Sequence, residues 1–264
     1  MPDMKALWRA ALCAAALGVL SLPAAAAGAA DAARLRMIAA VTAHDGAPFL
    51  AGVEMRLAAG WKTYWKNPGD SGIAPAFDWS ASENVGSVDL RWPAPRRFDD
   101  PGDVTFGYKD EVIWPLGVVP VDAAQPATLR LAMSYGVCSD SICVPREANL
   151  TLIVPPVGPG AAAAPSADGP PLVAALARLP RPFDDPGALT VRWREAEAPV
   201  LEVDLQGCGA GCAPPQLIVD GPDGVWFGRP AIVRAGGILR YSLEVGVLSA
   251  SVLEGERLGF MMVG

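Results

Sequence analysis

The sequence predicts an all-β protein with two domains, and three observations support this fold class. Glycine and proline supply 28 and 26 of the 264 residues, which favours many short strands and loops over a helical bundle. Apolar residues make up 52% of the chain, enough to build hydrophobic cores, and they occur in short runs with partial alternation. A stretch rich in Pro, Gly, Ala and Ser divides the chain at residues 156–171.

The chain begins with a segment, residues 1–27, that has the features of a cleaved secretory signal peptide. Lys5 and Arg9 form a basic start, residues 10–22 are apolar, and small residues at 23–27 offer cleavage sites. The apolar run is shorter than the ~20 residues that a membrane span needs, which disfavours a transmembrane anchor. We therefore expect the mature protein to reach an oxidising compartment, where cysteines normally pair.

A β-sandwich is predicted for the first domain, residues 31–155, because short strand-like runs follow one another with turns between them. Residues 87–92 alternate apolar and polar side chains. Residues 112–116 contain Pro115, which has no backbone N–H for a ladder, so they are interpreted as an edge strand. The complete set of predicted strands is 35–41, 49–57, 87–92, 112–116, 128–135 and 148–154.

The second domain, residues 172–264, is predicted to be a smaller, β-sandwich-like domain that follows the linker at 156–171. It begins with a short helix at residues 172–179, which Pro180 ends. The remainder consists of short apolar runs that are typical of strands. These predicted strands are 189–194, 200–205, 216–220, 225–227, 238–245 and 258–263.

Charge and histidine content argue against several classes of function. Lys and Arg number 21 against 28 Asp and Glu, a formal net charge of −7, so nucleic acid is not an expected partner. His44 is the only histidine, which argues against His-based zinc sites, triads with a histidine base and haem held by two histidines. We expect neither a metal nor another cofactor.

Four of the five cysteines remain after Cys13 leaves with the signal peptide, and they form two close pairs. Cys138 and Cys143 lie between two predicted strands, where neighbouring strand ends can bring two Cα atoms to the ~5.5 Å of a disulfide. Their spacing leaves a structural staple and a reversible dithiol both open. Small residues separate Cys208 from Cys212, and this pair is interpreted as a structural disulfide.

The ease of thiolate formation sets the reactivity of a cysteine pair. Arg146 is the cation nearest to Cys143 in the sequence, and the charge of Asp140 opposes a thiolate. We therefore expect no strongly acidic thiol. Selectivity is expected to come from restricted access and from a matched partner surface.

Three motifs follow one another at sensible spacing. They are GWKTYWKNPGDSG at residues 60–72, WPAP through FDDPG to GYKDE at 92–111, and Y-x-x-C to C-x-P-x-E at 135–147. Together they resemble the N-terminal periplasmic domain of the DsbD family of thiol:disulfide interchange proteins, in particular the ScsB-like branch with its longer, two-part soluble region. The resemblance is good over residues 33–154 and loose over 172–264.

This resemblance implies an immunoglobulin-like sandwich in the periplasm. It implies that Cys143 is the attacking thiol of the reduced protein and Cys138 its resolving partner. The pair would pass electrons from a membrane-embedded thiol reductase to periplasmic thioredoxin-like or isomerase proteins. A mobile cap loop shields the pair in the family; by position the cap lies at residues 99–107, with Asp99 and Asp100 in it, Phe98 or Phe106 as the covering aromatic, and Tyr64 near the sulfurs.

We therefore predict a thiol–disulfide interchange module, a component of a protein-disulfide reductase. The rival interpretation is a non-catalytic binding or scaffold module of a redox or copper-tolerance pathway, with purely structural disulfides. The membrane segment that carries electrons in the family is not in this sequence. We expect either that a separate membrane protein donates the electrons or that the sequence is a fragment of a longer protein.

Overall fold

The fold is nearly all β, as the sequence predicts. The computed structural model describes residues 32–100, 102–183, 185–194, 199–208, 211–222, 224–247 and 257–263. The predicted signal peptide, with Cys13, lies outside these residues. Within them the strands of each sheet pair antiparallel, and the chain forms one α-helix, α1, at Gly169–Ala177.

Ten strands form the first domain. They are β1 Ala33–Ala39, β2 Phe49–Leu57, β3 Lys62–Gly69, β4 Ala76–Asp78, β5 Val85–Leu90, β6 Arg96–Asp100, β7 Asp103–Lys109, β8 Glu111–Pro120, β9 Ala127–Cys138 and β10 Cys143–Val154. One sheet has the order β1-β2-β8-β5. The other has the order β10-β9-β3-β7-β6, with β4 beside β9.

The two sheets enclose a single hydrophobic core. Met55 and Trp114 from the first sheet and Trp65 and Leu131 from the second belong to one cluster, and each is at most 2% exposed. Successive side chains of a strand point to opposite faces, so every second residue contributes to this core. The first domain is therefore a β-sandwich.

The prediction of an edge strand at residues 112–116 was wrong. These residues lie in β8, between β2 and β5. Pro115 is tolerated there because it lies just beyond the last pair of the β5–β8 ladder, Leu90 with Leu116, so the N–H that it lacks interrupts no pairing within that ladder. The Pro115 carbonyl accepts a hydrogen bond from Arg91 N at 2.9 Å.

The segment between the two domains is attached to the first sandwich. Ser166 N donates to Ala40 O at 2.9 Å. Helix α1 follows and covers the first sheet, with the side chain of Leu172 fully buried beside Ile38 and Ile113. The predicted short helix is thus present, and it packs on the first domain.

Seven strands form the second domain. They are β11 Leu189–Arg194, β12 Val200–Leu205, β13 Gln216–Asp220, β14 Val225–Phe227, β15 Ala231–Ala235, β16 Ile238–Val247 and β17 Gly259–Val263. Strands β11, β12 and β16 are neighbours in one sheet, and β14 and β15 also pair with β16. Strands β13 and β17 form a separate two-stranded ribbon.

This two-stranded ribbon, the shared ribbon, contributes to both hydrophobic cores. Ile218 of β13 is fully buried in the core of the first domain, whereas its neighbours Leu217 and Val219 are buried in the second core. Strand β17 alternates in the same way, with Met261 against the first core and Met262 against the second. The ribbon therefore lies between the two cores and joins them.

Candidate functional site

A disulfide joins Cys138 and Cys143 at the end of the β9–β10 hairpin. The two residues face each other in the antiparallel register, with Cα atoms 4.1 Å apart. Between them, Ser139 N donates to Ile142 O at 2.8 Å and closes a four-residue turn. The four residues between the cysteines therefore form one tight turn, which places both sulfurs at the hairpin end.

The two cysteines differ in exposure. Cys138, the last residue of β9, is 1% exposed, whereas Cys143, the first residue of β10, is exposed. Of the two cysteines, Cys143 is therefore the one that solvent reaches. An attack at Cys143 would make Cys138 the leaving group.

Tyr64 places a hydroxyl group beside the buried sulfur. Strand β3 pairs with the end of β9, with Lys62 directly opposite Cys138. Two residues further on and on the same face of β3, the Tyr64 hydroxyl donates to Cys138 Sγ at 2.9 Å and lies 3.5 Å from Cys143 Sγ. A donor in this position stabilises negative charge on the Cys138 sulfur.

The Tyr64 phenol stays protonated at neutral pH. The side chain is 2% exposed. Its burial, together with the charges of Asp103 and Asp100, raises the pKa of Tyr64 to about 12, because all three disfavour the phenolate. The hydroxyl is therefore available as a hydrogen-bond donor across the neutral range.

A tight turn lies against the Tyr64 ring. Gly72 has a φ of +109°, and a Cβ atom at this position would lie 2.3 Å from Tyr64 Cε1. Asp70 fastens the turn to β7, because its N donates to Val104 O at 2.9 Å and its Oδ2 accepts from Val104 N at 2.8 Å. Glycine at residue 72 permits both the backbone conformation and the close contact.

We expect Gly72→Ala to displace the Tyr64 ring and to slow reduction of the disulfide. The added methyl group overlaps the ring, and alanine in a left-handed conformation lowers stability by about 1–3 kcal/mol. Urea unfolding measures the stability, and the rate of reduction by dithiothreitol measures the loss of the hydroxyl. Gly60→Ala is the matched control, since Gly60 has a φ of +83° and nothing within 4 Å of the added Cβ. Equal reduction rates in the two variants would contradict the prediction.

A cleft, the disulfide cleft, lies beside the two cysteines and is lined by Tyr64, Lys62, Asp100 and Asp103 among others. Strands β6 and β7 form a hairpin, the cap hairpin, that borders this cleft. The Lys62 ammonium donates to Asp100 Oδ2 at 2.6 Å and to Thr105 Oγ1 at 3.2 Å. The centre of the Phe98 ring lies 4.9 Å from Lys62 Nζ and 5.3 Å from Lys109 Nζ, within the range of cation–π interactions. Lys62 therefore connects β3 to both strands of the cap hairpin.

The predicted cap residues fall in three different places. Asp100 lines the cleft beside the disulfide, together with Asp103. Asp99 lies on the opposite face of β6 and pairs with an arginine of the second domain. Phe106 is buried in the first core at 7% exposure. The cleft lining that the structure describes thus includes two carboxylates of the hairpin, and it includes neither Phe98 nor Phe106.

Lys62 is a site residue that sequence reasoning missed. Arg146 is the cation nearest to Cys143 along the chain, but Lys62 is opposite Cys138 in the sheet and lines the same cleft. The signal that identifies Lys62 is its place two residues before Tyr64, which puts both side chains on one face of a strand. That signal is informative only once residues 62–69 are known to be a strand.

The second disulfide, Cys208–Cys212, lies in the second domain with Cα atoms 5.5 Å apart. Cys208 is buried in the second core. The Arg234 guanidinium donates to the carbonyl oxygens of both cysteines, at 2.7 Å for Cys208 and 2.5 Å for Cys212. The disulfide and the arginine thus fasten the same two ends of this loop.

The structure brings together a disulfide, the Tyr64 hydroxyl, the Lys62 ammonium and the carboxylates of Asp100 and Asp103. In the described part of the chain, no three His, Cys, Asp or Glu side chains are grouped to hold a metal ion. No helix within those same residues is long and apolar enough to cross a membrane.

Comparisons with known proteins bear on the family of the first domain. Residues 33–155 match the family model for the N-terminal domain of thiol:disulfide interchange protein DsbD. The N-terminal periplasmic domain of ScsB from Proteus mirabilis has a similar fold, with 24% identity, coverage of 89% of this chain and 94% of that chain, and a TM-score of 0.66. The reduced DsbD N-terminal domain of Neisseria meningitidis is 14% identical, covers 50% of this chain and 88% of that chain, and has a TM-score of 0.26. No curated protein matches the chain.

Proposed function

We propose that Cys138 and Cys143 are a reversible site of thiol–disulfide exchange, because residues 33–155 match the family model for the N-terminal domain of DsbD and form an immunoglobulin-like β-sandwich. The family and the disulfide-forming pair support this chemistry in general. The difference between the two cysteines carries the proposal. Cys143 is exposed, whereas Cys138 is buried and its sulfur accepts a hydrogen bond from the Tyr64 hydroxyl. A structural staple requires neither an accessible sulfur nor a donor directed at the other sulfur.

Reduction of the pair begins at the exposed sulfur. A thiolate of the electron donor attacks Cys143 Sγ, a donor–Cys143 disulfide forms, and the electron pair of the broken bond leaves on Cys138 Sγ. The Tyr64 hydroxyl stabilises the Cys138 thiolate, which then takes a proton from solvent. A second donor thiolate attacks the donor sulfur of the mixed disulfide and releases Cys143, which is also protonated. The donor is oxidised to a disulfide, and the pair has gained two electrons and two protons.

The reverse sequence passes the two electrons to an acceptor. Cys143 loses its proton and attacks a disulfide of the acceptor, from which one sulfur leaves as a thiolate and is protonated. Cys138 then loses its proton, attacks Cys143 Sγ and releases the second acceptor sulfur. The acceptor becomes a dithiol, and the Cys138–Cys143 disulfide forms again. Cys143 is the attacking residue and Cys138 the resolving residue in this direction.

The proposed route runs from a membrane-embedded thiol reductase, through this pair, to periplasmic thioredoxin-like or isomerase proteins. The family supports interaction with redox partners in general, and the family and the periplasmic ScsB domain support a periplasmic location. The cap hairpin borders the cleft and contributes Asp100 and Asp103 to its lining. The Cys208–Cys212 disulfide is assigned a structural role, since it is anchored in the second core.

We expect the Cys138–Cys143 pair to have a midpoint potential near −200 mV, roughly that of proteins that exchange disulfides with partners. Equilibration in thiol–disulfide buffers, followed by thiol labelling and peptide mass spectrometry, measures the potential of each pair in the same protein. Cys208–Cys212 is the internal control and should stay oxidised at lower potentials. A Cys138–Cys143 midpoint well below about −300 mV would support the rival function, a non-catalytic binding or scaffold module.

A further inference from the structure

We propose that Arg229 of the second domain is a positioning residue for exchange at Cys138–Cys143. In this proposal Arg229 holds the cap hairpin in place, and the carboxylates of the hairpin then keep small anionic thiols away from the disulfide. The inference rests on the proposed exchange function and gives the second domain a part in it. Three observations carry it: the two-sided attachment of β6, the support behind Arg229, and the charge of the cleft.

Strand β6 is attached on both of its faces. Asp100 points toward the cleft and accepts from Lys62 Nζ at 2.6 Å. Asp99 points the other way, and one of its carboxylate oxygens lies 2.7 Å from Arg97 Nη2 and 3.3 Å from Arg229 Nε. Because neighbouring side chains of a strand point to opposite faces, the ion pair with Arg229 fixes the same strand that presents Asp100 to the cleft.

The segment that carries Arg229 is hydrogen-bonded to a strand of the second domain. The preceding residue, Gly228, donates its N–H to Glu244 O at 2.9 Å, which ties this segment to β16. The shared ribbon docks the second domain against the first core, and its residue Asp220 pairs with Lys66 of β3. The second domain is therefore attached to β3, which carries Tyr64, as well as to β6. Both walls of the cleft therefore have an ion pair with the second domain.

The entrance of the cleft is acidic. Asp100 and Asp103 lie on the hairpin side, and Asp140 lies in the disulfide turn. Lys62 is the cation in the described lining, and its charge is engaged by Asp100. An incoming anionic thiol is repelled by these carboxylates. A protein partner can supply complementary cations, so the hairpin in this position favours protein partners over small anionic thiols.

The test compares two small thiols of opposite charge as reductants of the full chain at low ionic strength, where screening is weak. Cysteamine carries a positive charge and glutathione a net negative charge. For the wild-type protein, we expect the ratio of the cysteamine rate to the glutathione rate to exceed the same ratio measured with an unhindered disulfide. In Arg229→Gln the ratio of the cysteamine rate to the glutathione rate should fall about two- to fivefold, the range for loss of an exposed ion pair.

Two variants separate positioning from other effects. Arg229→Lys should restore the wild-type ratio, because it keeps the ion pair with Asp99. Arg178→Gln removes one exposed positive charge at the end of α1 and should not lower the ratio. An unchanged ratio in Arg229→Gln would overturn the inference about Arg229. If the Cys138–Cys143 pair of that variant were still reduced rapidly, the proposed exchange function would not be affected by this result. A wild-type pair that neither thiol reduces would overturn both.

Discussion

Serine in place of Cys143 should abolish exchange at the first domain, whereas serine in place of Cys138 should leave a protein that forms mixed disulfides and cannot resolve them. The reason is the difference in exposure, since Cys143 is exposed and Cys138 is 1% exposed. In the Cys138→Ser variant the remaining thiol reaches a partner disulfide, but no second thiol is present to release the partner. Mass spectrometry after incubation with an aromatic disulfide or an oxidised thioredoxin-like protein measures the adduct.

The adduct should reach one per molecule in Cys138→Ser during a period in which Cys143→Ser remains unmodified. The Cys208–Cys212 disulfide is present in both variants, so it serves as a constant background. Peptide mapping assigns the modified residue. Modification of Cys138 in the Cys143→Ser variant, at a rate close to that of Cys143 in its counterpart, would contradict the assignment of roles.

The variant Tyr64→Phe should slow reduction of the disulfide about ten- to a hundredfold. The substitution keeps the buried ring and removes only the hydroxyl that donates to Cys138 Sγ at 2.9 Å. A hydrogen bond to a charged group contributes about 1.5–3 kcal/mol, and this hydrogen bond gains strength as the leaving sulfur becomes negative. Stopped-flow fluorescence during reduction by dithiothreitol measures the rate.

The effect of Tyr64→Phe should be the same from pH 6 to pH 9. Burial raises the pKa of Tyr64 to about 12, so the hydroxyl keeps its proton throughout this range, and the phenolate forms only at more alkaline pH. Tyr108→Phe is the matched control, because this buried tyrosine donates to Pro93 O at 2.9 Å and not to a sulfur. Similar reduction rates for Tyr64→Phe and Tyr108→Phe would rule out the proposed role of the hydroxyl.

The cysteine hairpin is the part of the site that short-range patterns predict. Residues 128–135 and 148–154 are apolar runs of the sequence, and they form parts of β9 and β10. These strands are neighbours in the chain, so the turn between Cys138 and Cys143 is enough to pair them. Hydrophobic pattern and cysteine spacing are both local signals, and here they agree.

The other groups of the site lie on strands that have no clear local pattern. Strand β3 contains Pro68 and shifts register after Tyr64, and β6 has the sequence RRFDD with largely exposed side chains. Such segments become strands because β9 and β7 offer them hydrogen-bond partners, which is a tertiary effect. The sequence therefore predicts Tyr64 near the sulfurs only through the family resemblance, and it gives no indication of Lys62 or Arg229.

The shared ribbon has a consequence for how the chain holds together. Ile218 completes the core of the first domain from a position more than sixty residues beyond the family match at 33–155. A chain cut after residue 155 would lack Ile218 and would expose to water the apolar surface that Ile218 covers in the first core. The two parts thus form one cooperative unit, in which loss of order in one half removes a wall of the other.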